Sequence, residues 1–194
     1  MNNHSNEKVF KFGDFVKVVD KGTYSMAKFR KERKLIDKNF ESHIMLAVSQ
    51  VNGCKMCSYL HTKHALESGS TEDEISQFLD GDLAAVNKDE AVALFFAQHY
   101  ADSSSNYDIE AFKRVIETYG VEKAYGILAT IRIIMGGNAH GITLGFFKDR
   151  FKGKRNKESN LLNEIAIIIG IVLVFPLTFI KNLFVRKEKK IVLS

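Results

Sequence analysis

A chain of 194 residues with 45% hydrophobic content, one Pro and no Trp suits a globular core of ordinary size plus an appendage. The net charge of +5 is unevenly placed: residues 1–147 carry 17 Lys and Arg against 19 Asp and Glu, a net −2, and residues 148–194 carry 11 against 4, a net +7. Basicity confined to a tail that brackets an apolar run argues against a nucleic-acid-binding domain and for contact with a membrane surface.

The opening "MNNHSNEKVFKFGDFVKVVD" has no uninterrupted apolar stretch, so no signal peptide is read there and the N-terminal domain is expected in the cytoplasm. Val9, Phe10, Phe12, Phe15, Val16, Val18 and Val19 predict an amphipathic helix that Gly22 ends, followed by a second helix over about 25–34. "FESHIMLAVSQV" (40–51) predicts a buried helix leading to Gly53. A further helix is expected from about Cys54 to Ser68, with Gly69 just beyond its end. Thr71 and Glu74 form a capping-box pattern, and Asn87 with Glu90 repeats it before "AVALFFAQHYA". After the polar linker "ADSSSNYD", Asp108 can cap "IEAFKRVIETYG". Another helix is predicted from Val121 to about Met135, with Gly136-Gly137 breaking or kinking the chain before "NAHGITLGFFKDRF". No strand or repeat is convincing, so the fold class is all-α.

Residues 151–160, "FKGKRNKESN", read as a basic linker. The segment 161–184 is apolar over 24 residues apart from Glu164 and Lys181 near its ends. At about 1.5 Å per residue it is long enough for the roughly 30 Å hydrocarbon layer, and Pro176 is tolerated in such a helix. The competing reading is a buried terminal core helix. Six Lys and Arg precede the run and five follow it, so charge asymmetry does not orient it. The expected layout is a redox domain over 1–150, a linker over 151–160, a single-pass transmembrane helix over 161–185 and a basic tail over 186–194. The catalytic domain is placed in the cytoplasm.

Both cysteines lie in "NGCKMCSYLHTKHALESG" (52–69). Helical spacing puts positions 54, 57, 61 and 64 on or near one face, with Cys57 and His61 one turn apart. Cys54 falls at the helix N-terminus, where unsatisfied N–H groups favour a thiolate. A reducing compartment disfavours a structural staple, so a close CxxC pair there points to catalysis or metal binding. Zinc would find only three ligands in Cys54, Cys57 and His61. Two small buried residues remain the plainest alternative.

The stretch "IMLAVSQVNGCKMCSYLHTKHALESG" (44–69) resembles the core motif of the AhpD-like alkyl hydroperoxidase and carboxymuconolactone decarboxylase family, and "GGNAHGITLGFFKDRFKGK" (136–154) resembles that family's last helix. The resemblance covers roughly residues 10–155. It implies an AhpD-like helical bundle that assembles into trimers or hexamers. The CxxC sides with the hydroperoxidase-like branch, because the decarboxylase branch normally lacks it. Cys57 would be the peroxidatic thiol, Cys54 the resolving thiol, and His61 the proton-transfer group. That order opposes the helix-terminus argument, which favours Cys54 as the more acidic thiol. The family's relay Glu is replaced by Ser42, flanked by Glu41 and His43, and its His before the second cysteine is replaced by Met56.

The resemblance thus implies a thiol-dependent peroxidase or disulfide oxidoreductase, with a peroxide or disulfide substrate and a thiol or dithiol reductant. Alternatives are a non-enzymatic, membrane-tethered redox-sensing or metal-binding module, and a carboxymuconolactone-type decarboxylase. Nothing resembles a dinucleotide or phosphate loop, so no cofactor is expected. His64 and His99 read as surface or packed residues, Tyr59 and Tyr107 lack evident partners, and His140 is a weaker candidate for approaching a neighbouring subunit's site. Phe95, Phe96, Phe146 and Phe147 read as core or interface aromatics.

Overall fold

The computed structural model describes residues 7–79, 89–103 and 107–192. Among them there are eight helices and no strand: α1 (Phe12–Lys28), α2 (Arg30–Arg33), α3 (Lys38–Asn52), α4 (Lys55–Glu67), α5 (Glu72–Leu79), α6 (Ala91–Asp102), α7 (Ile109–Arg150) and α8 (Leu161–Phe184). The all-α expectation holds.

Most boundaries follow from local chemistry. The Asp37 side chain accepts the Phe40 N–H at 2.9 Å and starts α3. Gly53 ends α3 at φ 74°, where its N–H donates to the Gln50 carbonyl and the Cys54 N–H to that of Ser49. This left-handed turn brings Cys54 to the start of α4. Thr71 and Glu74 form the reciprocal capping box ahead of α5: the Glu74 N–H donates to Thr71 Oγ1 at 3.2 Å, and the Thr71 N–H to Glu74 Oε2 at 2.8 Å. Asp108 caps α7 through the Glu110 N–H at 3.0 Å. The box expected at Asn87 and Glu90 divides: Asn87 lies outside the described residues, and Glu90 bonds His43 instead.

Two glycine expectations are corrected. Gly22 does not end the first helix, because α1 runs on to Lys28. A Cβ on Gly22 would sit 3.1 Å from the Arg132 carbonyl oxygen, so its service is close approach of α1 to α7. Gly136 and Gly137 do not break α7 either; the break is at Gly120, whose φ of 76° interrupts the helix. A side chain is tolerated poorly at that φ, whereas 136 and 137 keep helical geometry, with Gly136 buried against Val19 of α1.

The second part of α7 is the central post of the core. Ala124, Ile127, Leu128, Ala129 and Ile131 are fully buried, with Met135 and Ala139 continuing the stripe. Helices α1, α2, α3, α4, α6 and α8 pack on α7. At Gly126 a Cβ would meet the Glu32 carbonyl oxygen at 2.5 Å and its carbon at 2.9 Å. Both atoms belong to the backbone and cannot swing aside. Gly126→Ala is therefore expected to cost about 1–3 kcal/mol through overpacking, despite a helix-propensity gain of about 1 kcal/mol. A urea titration that found equal or greater stability would show that α2 moves freely against α7.

Helices α7 and α8 are both long and apolar enough to cross a membrane by length and composition. Their surroundings differ: 72% of the apolar window is buried in α7 and 17% in α8. α7 is the core helix of the domain. α8 runs parallel to α1 and is tied to it at both ends. Asn163 Nδ2 donates to the Phe10 carbonyl and Asn163 Oδ1 accepts the Phe12 N–H, each at 2.9 Å. At the far end Asn182 Nδ2 donates to Asp20 Oδ1 at 2.8 Å and Thr23 Oγ1 at 3.1 Å. Glu164 is fully buried and accepts both Arg150 Nε and Nη2, at 2.6 and 2.7 Å. Past α8 the chain folds back onto the domain: Lys187 and Lys190 pair with buried Glu32, and Glu188 pairs with Arg132.

Candidate functional site

The dithiol site is built where the left-handed turn at Gly53 meets the first turn of α4. Cys54 is the N-cap residue of α4 and Cys57 lies in its first turn. Their Cα atoms are 5.3 Å apart and the sulfurs form a disulfide. Cys54 is 1% exposed and Cys57 6%, so the pair is shielded from bulk solvent. The opposite wall is Gly141 of α7: a Cβ there would lie 3.1 Å from each Sγ and 3.2 Å from Met56 Cε. Only a residue without a side chain leaves room for both sulfurs. Gly141 was not singled out in the sequence, and the one available signal was its place within the "GGNAHG" segment.

The three expected site residues lie on one element. His61 sits one turn beyond Cys57 on α4, with its ring 6.3 Å, centroid to centroid, from that of His64. Burial, helped by His64, pushes the His61 pKa down to about 4. Its imidazole is neutral at pH 7 and can accept a proton. The dithiol thus sits at the positive end of the α4 dipole, with this neutral base one turn further along the same helix.

A cavity of about 220 Å³ reaches the pair from the side of Cys54. Apolar Met56, Ile142 and Leu144 line it together with Lys55, Lys148 and Lys152. Lys55 is paired with Glu7 at 2.9 Å. Cys57 and His61 do not line this cavity.

Ser42 supplies no relay acid: it is buried and its Oγ donates to the Lys38 carbonyl at 2.8 Å. Glu41 is engaged by Arg33 Nε at 2.9 Å. The flanking His43 is different. It is 8% exposed, with Nδ1 2.7 Å from Glu90 Oε2 and Nε2 2.8 Å from Ser70 Oγ, and Ser70 Oγ donates on to Asn39 Oδ1 at 2.8 Å. Sequence reading missed this buried imidazole–carboxylate pair, because its members are 47 positions apart.

The weaker candidates lie elsewhere. Tyr59, His64 and His99 are exposed. Tyr107 stacks on Tyr100, and burial raises its pKa. His140 lines a separate apolar cavity between α1, α7 and α8, and burial lowers its pKa. Phe96 and Phe146 are in the core, Phe147 stacks edge-on against Phe151, and Phe95 is 60% exposed. Among the described residues no group of three or more His, Cys, Asp and Glu side chains is arranged to hold a metal ion.

The depressed His61 pKa has a testable consequence. Folding lowers it below the ordinary value of about 6.5, so the unfolded chain binds the proton more readily. The stability associated with neutral His61 is complete above about pH 6.5 and is lost as pH falls toward 4. His61→Gln is expected to flatten that part of the stability–pH curve, read by thermal unfolding at pH 4.5 and 7.

Comparison with known proteins is consistent with this site. Residues 22–98 match the model of the carboxymuconolactone decarboxylase family, a stretch that contains the disulfide, His61 and the His43–Glu90 pair. The chain is 29% identical over 122 residues to the uncharacterized protein YdfG of Bacillus subtilis (strain 168), a match covering 62% of this chain and 82% of that protein. No solved structure matches.

Proposed function

Because residues 22–98 match the carboxymuconolactone decarboxylase family, we propose that this chain is an AhpD-like thiol oxidoreductase that reduces peroxides or disulfides through Cys57 and Cys54. The observation that carries the reading is the shielded Cys54–Cys57 disulfide at the start of α4, with neutral His61 one turn away. In the peroxide form of the reaction, the Cys57 thiolate attacks one peroxide oxygen and the O–O bond breaks. Cys57 becomes a sulfenic acid, and the departing alkoxide takes the proton that His61 accepted from the thiol. The Cys54 thiol then attacks the sulfenic sulfur, closing the disulfide, and its proton leaves with the displaced hydroxide as water. Two equivalents of an external thiol, or one dithiol, restore the pair.

Burial keeps His61 neutral beside the closed disulfide, and in the reduced protein it serves as a relay that takes the thiol proton and passes it to the leaving oxygen. Ser42 does not replace the absent acid, which favours thiol–disulfide exchange over rapid peroxide turnover.

Homo-oligomerisation as a trimer or hexamer belongs to the same proposal through the family likeness. So does membrane attachment through α8, supported by its apolar length. The sequence alone predicts a single-pass anchor with the redox domain on the cytoplasmic side, and the ties between α8 and α1 favour attachment with α8 still docked on the domain.

The test is consumption of an organic hydroperoxide, and separately of a small disulfide, by the full-length chain with a dithiol reductant. Turnover of either substrate supports the reading. Stoichiometric oxidation without turnover would favour the redox-sensing alternative.

A further inference from the structure

We propose that the outward face of α8 lies flat on an anionic bilayer while the helix remains docked along α1. The proposal deepens the membrane reading given above and rests on it.

The helix has two faces with different fates. Glu164, Ile167, Gly170 and Asn182 are buried toward the domain, and at Gly170 a Cβ would come within 2.8 Å of the Phe12 ring. The opposite stripe has no cover. Ile169, Val172, Leu173 and Leu177 are between 59 and 70% exposed, and Leu162 and Phe184 at the two ends are 80 and 86% exposed. A continuous apolar face of this length on a soluble surface marks an interaction site.

Charge selects the occupant. Lys152, Lys154, Arg155 and Lys157 are exposed before the helix, and Arg186 and Lys189 after it. Both ends of the face are therefore positive. A second copy laid against it would bring basic end to basic end in either orientation. Anionic headgroups would neutralise both ends at once.

The ties to α1 select the geometry. α1 runs parallel to α8, and its Asp14 and Lys17 side chains are 53 and 76% exposed. A spanning α8 that kept its partner would carry those charges into hydrocarbon. A spanning α8 that left its partner would strand Asn182 and the Arg150–Glu164 pair and uncover the apolar side of α1. A helix resting in the interface, with its apolar face about 5–10 Å into the headgroup boundary, incurs neither cost.

The absence of Trp from the chain gives a clean probe. Leu162→Trp, Val172→Trp and Phe184→Trp, made singly in the full-length protein, place a fluorophore at the two ends and the middle of the exposed face. They are mixed with neutral phosphatidylcholine vesicles, or with vesicles containing phosphatidylglycerol, that carry bromine at shallow or deep acyl positions. The expected result is binding about ten-fold or more stronger on the anionic vesicles, reduced by salt, with all three sites quenched by the shallow label. Deep quenching at position 172 with shallow quenching at 162 and 184 would overturn the flat geometry and restore the single span. No binding to either vesicle would remove the membrane reading itself. Oligomers that dissociate on Val172→Asp would then assign the face to a second copy.

Discussion

Cys57→Ser is expected to lower thiol-dependent turnover of the full-length chain on the order of 10³-fold or more, because without Cys57 the pair loses its assigned attacking thiol and can no longer close the disulfide. Cys54→Ser should behave differently, and that difference carries the assignment of roles. With Cys57 intact, attack on the peroxide still yields a sulfenic acid, but no neighbouring thiol closes the disulfide. A single stoichiometric oxidation should appear, trappable by a sulfenic-acid reagent as an added mass on Cys57. If the adduct forms instead in Cys57→Ser, at Cys54, the roles are reversed. The cavity gives that reversal a physical basis, since Cys54 lines it and Cys57 does not. His61→Gln divides the cases further. A relay that serves Cys57 should cost about 10²–10⁴-fold in the peroxide step. Reduction of the disulfide by an external thiol attacking Cys54 should change far less.

The local part of this site was legible in the sequence because its physics is local. The Gly53 turn, the start of α4 and the one-turn spacing of Cys57 and His61 all follow from residues within a dozen positions of one another. The capping box at Thr71 and Glu74 was readable for the same reason. Gly22, Gly136 and Gly141 were opaque. Their role is set by what lies across the helix interface, such as the Arg132 carbonyl against Gly22 or the two sulfurs against Gly141. A glycine that ends a helix and one that admits a neighbour are the same letter. The His43–Glu90 pair was hidden by distance, since nothing near His43 announces a carboxylate on another helix. The C-terminal segment was legible as apolar and long, but the polar ties that hold it against α1 are individually ordinary asparagines and acids.

Arg150→Leu should have a large effect on stability. Glu164 is fully buried on the inner face of α8, and both of its oxygens accept bonds from the Arg150 guanidinium, at 2.6 and 2.7 Å. Removing the arginine leaves a buried carboxylate without its bidentate donor. That change costs about 3–5 kcal/mol, or roughly 6–20 °C in Tm for a chain of this size. The companion variant Arg150→Leu/Glu164→Leu removes the charge as well and should recover most of the loss, because a matched apolar pair in the same volume is often neutral or better. The contrast also tests how α8 is held. If the pair locks α8 onto the domain, Arg150→Leu should expose residues 151–160 to protease at concentrations that spare wild type and the double variant. If protease sensitivity is the same in all three while Tm falls, the pair stabilises the end of α7, and the asparagine ties at Phe10 and Asp20 hold α8 without it.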